Sequence, residues 1–116
     1  MPEEPYSPEN TSRRVRALIQ YLGVNKSELG RMIGYTPMQV RDIANGRYRP
    51  NPQAVFTIYK LTSITGDWLI YGLTRGLSEL SAEERMRLLK FEEAETLSPD
   101  ANTPHPDQKR ASEPKD

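Results

Sequence analysis

Lys26-Ser27-Glu28-Leu29-Gly30-Arg31-Met32-Ile33-Gly34-Tyr35-Thr36-Pro37-Met38-Gln39-Val40-Arg41-Asp42-Ile43-Ala44-Asn45-Gly46 reads as two short helices joined by a tight turn. Leu29 and Ile33 stand four apart and share one helical face. Gly34, lacking a Cβ, can take the left-handed conformation that ends a helix. Thr36, Pro37 and Gln39 then stand in the order that starts one. The threonine hydroxyl accepts an orphan amide, proline suits the first helical position, and the glutamine three residues on completes a capping box. Val40 and Ile43 form the buried face of this second helix, which stops at Asn45-Gly46. Gly30 falls where the two helices must cross closely, and a large side chain there would hold them apart.

The flanking sequence supplies the rest of a helical domain. A first helix is expected from about Ser12 to Leu22, with Val15, Leu18, Ile19 and Leu22 inward and Gly23 at its end. Asn51 and Pro52 start a fourth helix with Val55, Ile58, Tyr59 and Leu61 facing the core. Thr65 or Gly66 opens a short fifth one, where Trp68, Leu69 and Leu73 close the core. Trp68 lies on the apolar helical face and reads as packing. Ser81-Ala82-Glu83-Glu84 is a further capping box, predicting a sixth helix over about Ala82 to Glu95. Leu77, Leu80, Leu88 and Phe91 either pack back on the domain or pair with a second copy. The expected organisation is thus an arm over 1–10, a domain over 11–76, a C-terminal helix within 77–96 and a tail over 97–116. Proline and charge density marks arm and tail as disordered.

Composition narrows the function. At 116 residues there is room for one domain plus tails. No run reaches the roughly 18 apolar residues of a membrane span, and no signal segment opens the chain. Without cysteine there is no thiolate metal site, and cytoplasmic residence is the simple expectation. The formal net charge of zero hides segregation. Residues 11–76 hold ten Lys and Arg against three acidic side chains, a balance of +7, while 1–10 carry −3 and 77–116 carry −4. A basic domain between acidic flanks suits a polyanionic partner. His105 is the only histidine and stands in the tail, so no His-based catalytic or metal cluster can be assembled. Phosphate-loop and dinucleotide motifs are missing. No catalytic residue, metal or cofactor is therefore assigned. Glu83, Glu84, Glu92, Glu93 and Glu95 read as a solvated acidic helix face.

Helix pairs of this kind lay their second helix in the DNA major groove. Over about sixty residues the chain resembles the Cro/repressor family of bacterial and phage regulators. The likeness begins at Val15-Arg16-Ala17-Leu18-Ile19, runs through the motif to Arg49-Pro50-Asn51-Pro52, and ends at Gly66-Asp67-Trp68-Leu69-Ile70-Tyr71-Gly72. It implies an all-α, lambda-repressor-like bundle of five helices, here with an additional C-terminal helix. By the family pattern the base-facing places fall on Pro37, Met38 and Asp42, with Gln39 and Arg41 beside them. The family's better-known readers often carry glutamine at the first two of those places, so this chain departs from them.

Arg41 suits guanine, Gln39 adenine, Asp42 a cytosine amino group and Met38 a thymine methyl. Pro37 offers no side-chain hydrogen bond, and DNA shape is left to supply part of any specificity. Phosphate contacts are expected from Lys26, Thr36 and the amides that follow it, and from the loop residues Asn45, Arg47, Tyr48 and Arg49. Arg13, Arg14 and Arg16 would add charge from helix 1. Three readings follow. The first is a sequence-specific regulator, expected as a homodimer on double-stranded DNA and acting as a repressor. The second keeps the fold but is an antitoxin, which neutralises a protein toxin with its acidic C-terminal segment and represses its own operon with the same motif. The third is an adaptor with no DNA contact.

Overall fold

A computed structural model of the chain describes residues 6–97. Among these, the regular structure is entirely helical: α1 Pro8–Leu22, α2 Lys26–Ile33, α3 Pro37–Ala44, α4 Pro52–Thr62, α5 Gly66–Leu69 and α6 Ala82–Leu97, with a 3-10 turn at Thr74–Leu77. No described helix is long and apolar enough to cross a membrane. The expected tail beyond Leu97 and the first five residues of the expected arm lie outside the described residues.

Local chemistry sets each boundary. Ser7 caps α1 by accepting the Asn10 amide at 3.1 Å, and Pro8 occupies its first turn. The helix therefore starts four residues before the expected Ser12, and 8–10 belong to it rather than to an arm. Proline at a helix start promotes order, which the composition of the segment concealed. Gly23 ends α1 with φ of 71°. Asn51 caps α4 through the Ala54 amide, and Thr65 caps α5 through the Asp67 amide. At α6 the Ser81 hydroxyl takes the Glu84 amide while the Glu84 carboxylate takes the Ser81 amide, both at 3.0 Å.

The core is shared by every helix. Val15 and Leu18 of α1, Leu29 of α2, Val40 and Ile43 of α3, Ile58 of α4 and Trp68 and Leu69 of α5 are all buried. Two expected core residues are not: Leu61 is 53% exposed and Leu73 42%. In each case the chain reverses next to them, at Ser63 (φ 65°) and Gly72 (φ 75°), and a later residue takes the place. Ile64 and Leu77, both fully buried, do so. Ile19, Leu22, Val55 and Tyr59 are only half-buried.

Of the two arrangements open for the C-terminal helix, packing back is the one observed. α6 lies along α1 and inserts Leu88 into the core, joined there by Leu80 and by half-buried Leu89 and Phe91. Its acidic face is not wholly solvated. Glu95 is buried, accepting from Arg16 Nε at 2.7 Å and from Gln20 Nε2 at 2.6 Å. Arg14 is buried too, donating from Nε to the Leu69 carbonyl at 2.9 Å and from Nη2 to the Ile70 carbonyl at 2.8 Å. Burial pushes this guanidinium down to about 10, opposed by the attraction of Glu92, and it remains charged at neutral pH.

Two outcomes are expected for stability. Ser63→Gly removes a Cβ from a left-handed residue and raises unfolding free energy by about 0.5–1 kcal/mol in urea titration. Glu95→Ala leaves Arg16 without its carboxylate and costs about 2–3 kcal/mol, whereas Arg75→Ala, which breaks the exposed Asp67 pair, stays within about 0.5 kcal/mol. Equal losses for the two alanine variants would contradict a structural role for the α1–α6 pair.

Candidate nucleic-acid interface

The α2–turn–α3 unit forms as its sequence dictates. Asn25, not singled out from sequence, caps α2 in a reciprocal box with Glu28, each bond 2.8 Å; an Asn three residues before a Glu was the available signal. Gly34 ends α2 at φ 82°, and its amide and that of Tyr35 both reach the Gly30 carbonyl at 2.8 Å. A Cβ on Gly30 would collide with the Tyr35 carbonyl and press on Val40. The close approach is thus to the turn first and to α3 second. Tyr35 also accepts the Asn51 amide on its hydroxyl at 2.9 Å, tying the turn to the start of α4.

α3 is buried on one side through Val40, Ile43 and Ala44, which leaves Pro37, Met38, Gln39 and Arg41 exposed and Asp42 half-buried. Its capping box is complete: Thr36 Oγ1 accepts the Gln39 amide at 3.1 Å, and Gln39 Oε1 accepts the Thr36 amide at 2.8 Å. With Pro37 lacking an N–H, Met38 carries the first amide of α3 that these caps leave unengaged. The expected row of phosphate-binding amides therefore shrinks to one. Gln39 is likewise committed to the helix start, and would pair bidentately with adenine only by giving up that bond.

Past α3, Asn45, Arg47, Tyr48 and Arg49 are all exposed, and Gly46 turns the chain at φ 84°. Arg47 Nε lies 3.6 Å from Asp42 Oδ1, so the expected phosphate ligand and the expected cytosine reader face each other. Desolvation and the Asp42 carboxylate push the Tyr48 phenol up from its ordinary value. Arg49 donates from Nη1 to the Tyr6 carbonyl at 2.9 Å. Lys26 and Ser27 of α2, with the Asn25 cap, line a shallow cleft of about 160 Å³ together with Pro37 and Arg41 of α3. Helix start, lysine and arginine converge on a space open to an anion's oxygen atoms.

The α1 arginines lie elsewhere. Arg14 and Arg16 are occupied by carbonyls and Glu95, and Arg13 by Asn10 Oδ1 at 2.7 Å and Glu92 at 3.8 Å. The charge expected from helix 1 is thus corrected: it is engaged within the fold. Arg31 is exposed on α2.

Gly30→Ala is expected to cost about 2–3 kcal/mol in chemical denaturation, because the added carbon meets backbone that cannot move aside. Thr36→Ala should cost about 1 kcal/mol by removing one half of the cap. A Gly30→Ala protein as stable as the parent would show that the turn does not depend on this approach.

Compared with known proteins, the chain matches no family model, no curated protein and no solved structure.

Proposed function

We propose that this protein is a sequence-specific DNA-binding regulator of transcription with a Cro/repressor-like, lambda-repressor-type bundle. It would act in the cytoplasm as a repressor that occupies a promoter. The observation that carries the reading is the α2–α3 pair. α3 buries one face and offers the opposite one, Met38, Gln39, Arg41 and Asp42, beside a cleft at the start of α2 and an exposed Arg47-Tyr48-Arg49 loop. A short helix bearing hydrogen-bond donors and flanked on both sides by cations meets the two demands of a duplex: base edges in a groove and phosphates along its rims.

Roles follow from exposure and partners. Arg41 is the exposed α3 cation and the best guanine reader; Met38, 61% exposed, suits a thymine methyl. Lys26, with Ser27, holds one phosphate, while Asn45, Arg47, Tyr48 and Arg49 hold the next along the strand. Asp42 orients Arg47 and keeps its own charge from facing a phosphate directly. The antitoxin reading draws less support, since Glu92 and Glu95 of its acidic segment already face Arg13 and Arg16 within the same chain. The adaptor reading rests on the weak base-facing set Pro37, Met38 and Asp42, and the exposed Arg41, Arg47 and Arg49 around it favour a duplex instead.

Binding is expected to weaken steeply with salt, log K falling with log salt by about 0.9 per phosphate neutralised. Selection from a random duplex pool, followed by titration of variants, separates the roles. Arg47→Ala and Arg49→Ala should weaken all sequences alike and each flatten the salt slope by about one unit, and Arg41→Ala should relax preference at one base pair by about 1–3 kcal/mol. Indifference to every duplex at low salt would overturn the reading.

A further inference from the structure

The loop that follows α3 is braced by residues 6–16, the first of which were expected to form an arm. Where the loop begins, Arg16 donates from Nη1 to the Ala44 carbonyl at 2.6 Å and to Ser12 Oγ at 3.2 Å. Ser12 in turn donates to the Glu9 carbonyl at 2.7 Å. At Gly46 the backbone lies so near that a Cβ there would be in contact with Pro8, Glu9 and Ser12. Where the loop ends, exposed Arg49 donates from Nη1 to the Tyr6 carbonyl at 2.9 Å, across 43 residues of chain. Tyr6 itself is placed from α5. Its ring meets that of Tyr71 edge-on, with centres 6.3 Å apart, and the two tyrosines, Ile70 and Arg49 line a small cavity of about 320 Å³. Arg14 fixes the other side of this contact, because it holds the Leu69 and Ile70 carbonyls immediately before Tyr71.

We propose that Tyr6 is a positioning residue for phosphate binding: its ring, seated on Tyr71, holds its carbonyl where Arg49 must meet it and so orders the arginine. The proposal rests on the DNA reading for its purpose and adds to that site a residue outside the helix pair. The chemistry of the contact favours positioning over blocking. A carbonyl is neutral and takes one N–H of the guanidinium, so the charge and the remaining donors stay available to a phosphate. A carboxylate would compete instead, as Asp42 does at Arg47, 3.6 Å away. Among the described residues no carboxylate lies within ion-pair distance of Arg49. A long exposed side chain loses rotamer freedom when it grips a phosphate, and one already anchored loses less.

Two measurements on the full chain test this. Without DNA, nuclear magnetic relaxation of the Arg49 Nε–H reports the order of that side chain. It should exceed that of exposed Arg31, fall in Tyr6→Ala and in Tyr71→Ala, and persist in Tyr6→Phe, which keeps the ring. With DNA, Tyr6→Ala should weaken binding to selected and random duplexes alike by about threefold to tenfold. The slope of log K against log salt should stay unchanged, because the arginine still neutralises its phosphate. In an Arg49→Ala background the same change should do nothing further, whereas a residue that only supported the fold would go on weakening binding there. Circular dichroism confirms that each variant stays helical. An Arg49 side chain as mobile as Arg31, or indifferent to Tyr6→Ala, overturns the proposal. So does a Tyr6→Ala variant that binds more tightly, which would make Tyr6 a competitor of the phosphate, or one that flattens the salt slope. A protein that ignores every duplex while Tyr6→Ala frees Arg49 would sink the DNA reading and leave the Tyr6–Arg49 coupling standing. One that binds duplexes with Arg49 ordered regardless of Tyr6 would sink this proposal alone.

Discussion

Guanidinium groups closing the ends of helices hold this fold together. Every α-helix leaves its last carbonyls without intrahelical partners, and a buried end needs donors from elsewhere. Here three ends are met by arginines from other elements. Arg87 of α6 donates to the Tyr21 carbonyl at the end of α1, with its guanidinium 4.2 Å from the Tyr21 ring centre. Arg16 of α1 donates to the Ala44 carbonyl at the end of α3, at 2.6 Å, and Arg14 closes α5. Each bond is charge-assisted and opposes the negative end of a helix; those of Arg14 and Arg16 contribute about 1.5–3 kcal/mol, and the solvent-exposed Arg87 bond about 0.3–1 kcal/mol. Arg16 also meets Glu95, so α1, α3 and α6 share one side chain. The exposed helix of the candidate interface is thereby held from behind at its C-terminal end while Thr36 and Gln39 hold its start.

This arrangement changes how the charge of the domain should be counted. The excess of +7 over residues 11–76 overstates the outward field, because Arg14 and Arg16 face carbonyls and a carboxylate inside the fold. What faces outward near α2 and α3 is Lys26, Arg31, Arg41, Arg47 and Arg49. Segregation by position in the chain and segregation in space are different quantities, and only the second steers a polyanion. Of the acidic C-terminal helix, read from sequence as solvated, Glu83, Glu84 and Glu93 are indeed exposed, while Glu92 and Glu95 face the α1 arginines.

Elements set by local chemistry were legible in the sequence: the boundaries of α2 and α3, the Asn51 and Ser81 caps, the left-handed Gly23 and Gly34. Each depends on residues within four positions of one another, so spacing alone carries the information. What escaped depends on distance. Nothing near Arg14 says that it meets Leu69, 55 residues away, or that Glu95 meets Arg16 across 79. Leu61 and Leu73 have the right periodicity, yet a chain reversal beside each hands the core place to Ile64 and Leu77. The sixth helix was predicted, but its packing face had to be seen against α1. Within the candidate site, exposure of Met38 and Arg41 followed from periodicity, whereas the pairing of Asp42 with Arg47 joins a helix to a loop and was not foreseeable.

That pairing bears on how selective a DNA-binding α3 would be. Of its outward polar side chains, exposed Gln39 is engaged in the cap and half-buried Asp42 by Arg47. A side chain with a structural partner reads a base only if the base replaces that partner, so its contribution is the difference between two hydrogen bonds rather than the whole of one. Arg41 has no such debt, and Met38 can offer apolar contact alone. In the proposed complex, two direct readers per copy would discriminate weakly. In the proposed dimer, two copies on half-sites about 34–36 Å apart would double the contacts and let the DNA between them be tested for the bend or groove width that permits both α3 helices to seat. On this reading selectivity arises from the rigid spacing between two poor readers more than from either one, and the stiffness of α3, fixed at both ends, is what makes that spacing a constraint.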